Sequence, residues 1–304
     1  MKIKIACISD THKMHKQWHE NLIYDHWGWE VNQEWNDCDI LLHAGDVSSY
    51  GYKHEVQQFC KWFSSLPQIH KIFIAGNHDF FFDTNYRTYT ETGKRRHHHK
   101  STDQRDIDEL LAQYSNITYL NEESTESFGL KIYGTPIQPW FHDWAFNRMR
   151  GDDIKPHWDR IPDDTDVLVV HGPPHGILDL LHPNFRDFNE NPNVGCEDLL
   201  KRIKEIKPKL VVFGHIHEGY GIYSKQEDMK KYYKLLEKQQ NAKTRLEIVH
   251  EDRIKESIQE NIELLQKHID EFNSTQDDTI FVNASCLDES YRPVNKPIFI
   301  ELEL

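Results

Sequence analysis

KLVVFGHIH at 209–217 runs four apolar residues into a glycine and then two histidines, one residue apart. An uninterrupted apolar run of this length suits a strand buried on both faces. Four other stretches repeat the layout: KIKIACISDTH at 2–12, DILLHAGD at 39–46, KIFIAGNHD at 71–79 and DVLVVHGPP at 166–174. Between some of them the period changes. Residues 54–66 set Val56, Phe59, Cys60 and Phe63 at helical spacing, and 197–207 reads as a helix stopped by Pro208. The alternation predicts a layered α/β fold with a largely buried sheet. Ligand sites in open α/β sheets gather outside the carboxyl ends of the strands. Here all five ends deliver Asp, Asn or His.

ITYL at 117–120 and FGLKIYGTPIQPWF at 128–141 read as a hairpin-rich strand pair feeding a loop with Pro and Trp. TIFVNAS at 279–285 and PIFIELEL at 297–304 read as two more strands. Two sheets packed face to face, with helices outside, use all of these strands. Residues 84–106 lack periodicity and read as a long exposed loop. Residues 225–275 are dense in Lys, Glu, Asp and Gln, and Ile254, Ile258, Ile262, Leu265, Ile269 and Phe272 recur there at three- and four-residue steps. That is an amphipathic helix. With a partner around Tyr232, Tyr233, Leu235 and Leu236 it makes a helical hairpin, inserted into a domain formed by 1–224 and 276–304.

The formal net charge of -14 argues against long nucleic acid or an anionic membrane as partner. Acidic groups gathered around bound cations weaken that argument, because a metal inverts the local field. Five cysteines, Cys7, Cys38, Cys60, Cys196 and Cys286, are odd in number and not closely spaced, as expected of reduced thiols in a cytoplasmic protein. MKIKIACISD already reads as a strand rather than a signal peptide, and no apolar run nears the roughly 18 residues of a membrane span.

Two divalent ions about 3.5–4 Å apart can hold both an attacking water and phosphate oxygens. Such a centre needs hard oxygen and imidazole ligands, with one carboxylate shared. Asp10 and His12, two apart, can reach one ion, and Asp46 at the end of the second run is the natural bridge. Asn77 offers a neutral amide oxygen, His171 follows VLVV directly, and His215 and His217 can face different ions.

D-x-H, G-D, G-N-H-D, H-G-P-P and G-H-x-H, in this order, make the chain resemble the calcineurin-like metallophosphoesterases. HAGDVSSYG, FIAGNHDFFFD, IYGTPIQPWF, AFNRMRG, HGPPHGILD, VFGHIHEGYG and the final NASCLDESYRPVNKPIFIEL resemble its MPPED subgroup, the metallophosphoesterase-domain-containing proteins. The likeness covers about 1–223 and 279–304, apart from 84–106; the 225–275 insertion stands where the family has a tight strand connection. The resemblance implies a four-layer αββα double β-sandwich. It implies one ion on Asp10, His12, Asp46 and His217, and another on Asp46, Asn77, His171 and His215. His78 becomes the proton donor to the leaving oxygen, or a clamp on the phosphate, with Asp79 as its orienting group. The nucleophile becomes a metal-bound hydroxide, and the ions Mn²⁺, or Fe, Zn or Co.

The function expected is hydrolysis of phosphodiesters, cyclic nucleotides among the substrates that the resemblance suggests. A phosphomonoesterase or nuclease is the alternative on the same site. A metal-binding protein-interaction scaffold is the alternative of another class, disfavoured because the chain keeps every ligand. Trp140, Phe141 and His142 are candidates to line the pocket, and Arg148 and Arg150 to clamp phosphate. Phe80, Phe81 and Phe82 read mainly as core, with stacking on a nucleobase the sharper reading. His97, His98 and His99 read as part of a solvated basic loop. The 225–275 hairpin is a candidate face for a homo-oligomer or a protein partner.

Overall fold

The computed structural model describes residues 1–23, 33–86, 102–181, 193–224 and 278–304, with scattered positions between 238 and 263. The apolar runs become strands as their composition dictates. The strands β1 (Lys2–Ile8), β2 (Ile40–Ala44), β3 (His70–Ile74) and β4 (Thr118–Tyr119) pair in parallel in that order. The hairpin β5 (Glu123–Ser127) and β6 (Leu130–Thr135) opens a second sheet, and β7 (Gln138–Pro139) and β8 (Asn147–Arg148) form a short parallel pair. β9 (Val167–Val170) and β10 (Leu210–Phe213) continue the second sheet parallel to β6. β11 (Gly221–Tyr223) and β12 (Ile280–Asn283) complete it, and β13 (Ile298–Glu303) returns to the first sheet antiparallel to β1.

The sheet orders are β13-β1-β2-β3-β4 and β11-β12-β10-β9-β6-β5. The sheets face each other, β2 against β9 and β10 and β3 against β6, so every residue of β2, β9 and β10 is buried. Helices flank the pair. Among them, α1 (His15–Ile23), the short α2 (Gln33–Asn36) and α3 (Lys53–Ser64) precede β3. α3 begins where Glu55 reaches back to accept from the amides of Tyr50 and Tyr52. Its Phe59 and Phe63 lie against Phe73 of β3, with centroids 5.2 and 5.8 Å apart. Burying each such ring contributes about 1.5–3 kcal/mol. α4 (Gln104–Leu111) is capped by Asp103, α5 (Lys155–Trp158) is a single turn, and α6 (Glu197–Ile206) ends at Lys207 in the left-handed conformation before Pro208.

Two expectations are corrected, and one core reading is borne out against its alternative. ITYL does not belong to the hairpin; it lies beside β3, and the hairpin partner of β6 is the polar ESTES at 123–127. Residues 104–106, expected in a loop, open α4. Phe80, Phe81 and Phe82 are all buried in a tight turn against Phe73, Tyr119 and Trp144, which removes them as stacking surfaces.

Contacts divide the chain into two compact units, Met1–Ile222 with Phe281–Leu304, and Tyr223–Ile280. Most of 225–275 lies outside the described residues; the positions described between 238 and 263 are helical, with Ile262 buried. His97, His98 and His99 also lie outside them.

Candidate metal centre

Parallel strands deliver their carboxyl ends to one edge, and an isolated Ser9–Ser285 bridge ties the two sheets together there. The turns that follow are sharp. Asp10, His12, Asp46 and His215 have φ of 53°, 40°, 56° and 67°, the left-handed region that non-glycine residues avoid. Such strain, about 1–3 kcal/mol per residue, persists only where the surroundings over-determine it, and it clusters at functional sites. The motif glycines have a packing reason. A Cβ on Gly76 would collide with Asp46 Oδ1, and one on Gly214 with Asp10 Oδ2 and Ser9 Oγ.

Three overlapping sets of ligand atoms result, each within 4.8 Å: Asp10, His12 and His217; His12, Asp46 and His78; Asp46, His171 and His215. Asp46 and His12 are shared between sets. The amide of His215 donates to both oxygens of Asp10 at 3.1 and 3.0 Å, Ser285 Oγ donates to Asp10 Oδ2 at 2.9 Å, and the His78 amide donates to Asp46 Oδ1 at 2.8 Å.

Whether this donor set fits cations can be judged from its unpaired atoms. Both ring nitrogens of His12 are buried and lack a hydrogen-bond partner. His171 Nδ1 donates to the Ala44 carbonyl at 2.8 Å, so it is Nε2 that faces Asn77 Oδ1 at 2.9 Å and Asp46 Oδ1 at 3.4 Å, free to take up either a proton or a cation. Three acceptors cannot converge without a proton or a cation among them. His217 repeats the device, with Nδ1 3.0 Å from the Asp288 carbonyl and Nε2 3.6 Å from Asp10 Oδ1. A carbonyl on the far nitrogen is how proteins fix the tautomer of a metal-binding imidazole. The residues fit a pair of divalent ions.

Electrostatics agree. Burial would raise Asp10 and Asp46, but His217 at the first and His171 at the second hold both carboxyls below the usual range. Burial opposes protonation of His171 and His217; Asp46 and Asp10 respectively override it and push each up to about 9. Burial, reinforced by His78 at His12 and by His171 at His215, holds the other two down to about 3. The linkage signs follow. Raised His171 and His217 contribute stability that is full below their unfolded value of 6.5 and lost as pH rises through about 9. Depressed His12 and His215 withdraw stability as pH falls below 6.5. Chelator-treated protein is therefore expected to melt highest near pH 6.5 and to lose stability towards pH 9, where added Mn²⁺ restores it by taking the place of the proton. Melting curves that shift equally with Mn²⁺ at pH 6 and pH 9 would refute this.

Residues 3–219 match the calcineurin-like phosphoesterase family over most of the chain. The chain belongs to that family. It is 35% identical over 229 residues to the human and mouse proteins called metallophosphoesterase domain-containing protein 1, an alignment covering 72% of this chain and 62% of each relative. The chain thus spans less than two thirds of those relatives. A UPF0046 protein of Caenorhabditis elegans is 36% identical over 224 residues, covering 73% of this chain and 71% of its own length.

As a calcineurin-like phosphoesterase, the chain carries a binuclear metal-binding site with the two outer triads side by side. Around it stand residues that hold or border the ligand side chains. His43, buried in β2, accepts from the Gly45 amide on Nδ1 and bonds Thr11 Oγ1 through Nε2, tying together the two turns that carry Asp10 and Asp46. The Asp79 carboxylate accepts from the amides of Val47, Ser48 and Gly76 and from Ser48 Oγ, so it pins the loops together, while the Ser49 carbonyl orients the His78 ring, 2.7 Å from Nδ1. Trp144 packs on His78 at 4.1 Å, Phe141 on His215 at 5.4 Å, and Tyr291 on His12 and His217 at 5.0 and 5.1 Å. Trp140 is half exposed and donates Nε1–H to Asp143. Arg148 donates to His157 and the Asn147 carbonyl; Arg150 donates to the carbonyls of Val194 and Gly195 and to Glu197. The exposed ring of His142 packs on Phe141 at 4.5 Å.

Proposed function

We propose that the chain hydrolyses phosphoesters, with diesters preferred, at this binuclear centre. The observation that carries the reading is the gathering of Asp10, His12 and His217 on one side and Asp46, His171 and His215 on the other, each set with its ligand atoms within 4.8 Å, and with Asn77 Oδ1 2.9 Å from His171 Nε2. Asp10, His12, Asp46 and His217 would hold one divalent ion, and Asp46, Asn77, His171 and His215 the other. Bound there, the ions supply Lewis acidity towards phosphate oxygens and lower the pKa of a water. Asp46 aligns both sites through one carboxylate, and Ser285 keeps the Asp10 carboxylate turned towards His215. His78, its Nδ1 donating to Ser49, would present Nε2 to the leaving oxygen and deliver a proton there.

Diester preference is supported by the commitment of Arg148 and Arg150 donors to protein acceptors, which leaves fewer of them for the extra charge of a monoester. Mixed imidazole and oxygen donors suit Mn²⁺, with Fe, Zn or Co as substitutes. Five buried, unpaired cysteines support a cytoplasmic setting; among the described residues no helix is long and apolar enough to cross a membrane. The division of the chain at Tyr223–Ile280 supports 1–224 with 276–304 as the hydrolase domain and 225–275 as a separate insertion. The deciding test is hydrolysis of bis-p-nitrophenyl phosphate beside p-nitrophenyl phosphate, by metal-stripped protein with Mn²⁺ added back. Metal-restored turnover favouring the diester is expected. Preference for the monoester would replace the diester reading, and bound Mn²⁺ without turnover would favour the scaffold.

A further inference from the structure

One exposed aromatic ring stands beside each outer metal triad. Tyr291, 50% exposed, rests on His12 and His217, and Phe141, 42% exposed, rests on His215. Neither ring is there to fill the core, since each leaves about half its surface to solvent. The two come from distant parts of the chain, and the fold sets each against ligands of the same centre.

Tyr291 is held in place at a cost. Its φ is 58°, a left-handed conformation that a bulky side chain avoids. The turn enforces it. Asp288 Oδ1 accepts from the amides of Ser290 and Arg292, Asp288 Oδ2 accepts from Arg292 Nε, and the Tyr291 amide donates to the Asp288 carbonyl. That same carbonyl accepts from His217 Nδ1 at 3.0 Å. One turn therefore orients a metal-binding imidazole and presents a tyrosine ring next to it. On the other side, Asn147 Nδ2 donates to the Phe141 carbonyl at 3.0 Å and fixes the loop that carries Phe141.

We propose that Tyr291 and Phe141 form an aromatic clamp that binds a planar, aromatic substituent of the phosphoester while its phosphate lies on the metal centre. The proposal rests on the phosphoesterase reading and adds to it the chemical class of the group next to phosphorus. Aromatic faces offer a planar ring stacked or edge-on contact beyond simple area burial. A small alkyl substituent gains neither, so the clamp acts as a specificity device rather than as part of the bond-breaking step.

The test is calorimetric binding of phenyl phosphate and methyl phosphate to the full chain loaded with Mn²⁺. The two probes carry the same charged group and differ only in the substituent. Phenyl phosphate is expected to bind about tenfold more tightly. Tyr291→Ala and Phe141→Ala should each reduce that ratio severalfold, and Tyr291→Phe should keep it, since the ring and not the hydroxyl makes the contact. Bound Mn²⁺ per chain, measured on the same samples, separates a lost clamp from a lost metal. Equal affinities in the unaltered protein, or a ratio that survives both alanine variants, would overturn the clamp and leave the phosphoesterase reading standing. A ratio lost equally in Tyr291→Phe would also overturn it, in favour of a hydroxyl contact. Absence of metal-dependent binding by either ester would overturn the clamp, while the phosphodiesterase reading stands or falls on its own turnover assay.

Discussion

Asp46→Asn is expected to lower kcat/KM for a diester by about 10³-fold or more and to strip metal from the protein. The reason lies in how many bonds pass through one carboxylate. Asp46 shares a set with His12 and His78 and another with His171 and His215, so its charge serves both halves of the centre. The substitution preserves shape and the acceptor for the His78 amide, but it removes the negative charge that stabilises two neighbouring cations. It also removes the charge that raises His171. Loss of metal should exceed the 10- to 100-fold weakening typical of a supporting residue, because a direct ligand is altered. Elemental analysis of dialysed protein beside turnover checks both parts. Stoichiometric metal with unchanged kcat/KM in the variant would sink the binuclear proposal.

What the sequence made legible was whatever a local pattern can encode. Buried parallel strands must be apolar on both faces, so VLVV and LVVF announce themselves, and the polar residue that ends each run marks the site edge. Glycines in GD, GNH and GH are readable too, though only the structure gives their reason: Gly45 lies against the Ala75 carbonyl and His171, Gly76 against Asp46 and Gly214 against Asp10. Residues with no local period escaped. ESTES at 123–127 is a strand because β6 pairs with it, not because its composition asks for one; four of its five residues are not buried. Helix α1 buries Trp18, whose indole N–H reaches the Asn295 carbonyl 277 residues away, a partner that no sequence window contains. Tyr291, Trp144 and His43 were missed for the same reason. Their roles come from contacts between turns that meet only when the two sheets are packed. For Arg148 and Arg150 the sequence offers a guanidinium that invites a phosphate, and only the structure supplies the carbonyls to which they also donate.

His78→Ala is expected to keep both metals and to lose rate selectively, by about 10²–10⁴-fold for diesters with poor leaving groups and far less for p-nitrophenolate. Selectivity follows from the role. A leaving oxygen that is already a stable anion needs no proton, whereas an alkoxide does. The contact of His78 with Asp46 runs through its backbone amide at 2.8 Å, and this survives truncation to alanine. The ring is fixed independently, by Ser49 on Nδ1 and by Trp144 across its face at 4.1 Å. With Nδ1–H committed to that carbonyl, a proton given up by the ring would leave from Nε2. A competing role is built into the same geometry, because His78 falls in one ligand set with His12 and Asp46. The two roles part on metal content. Retained metal, together with a loss of kcat that steepens as the leaving-group pKa rises, identifies a proton donor. Loss of about one ion per chain, with equal loss for all leaving groups, identifies a ligand and assigns the proton to solvent.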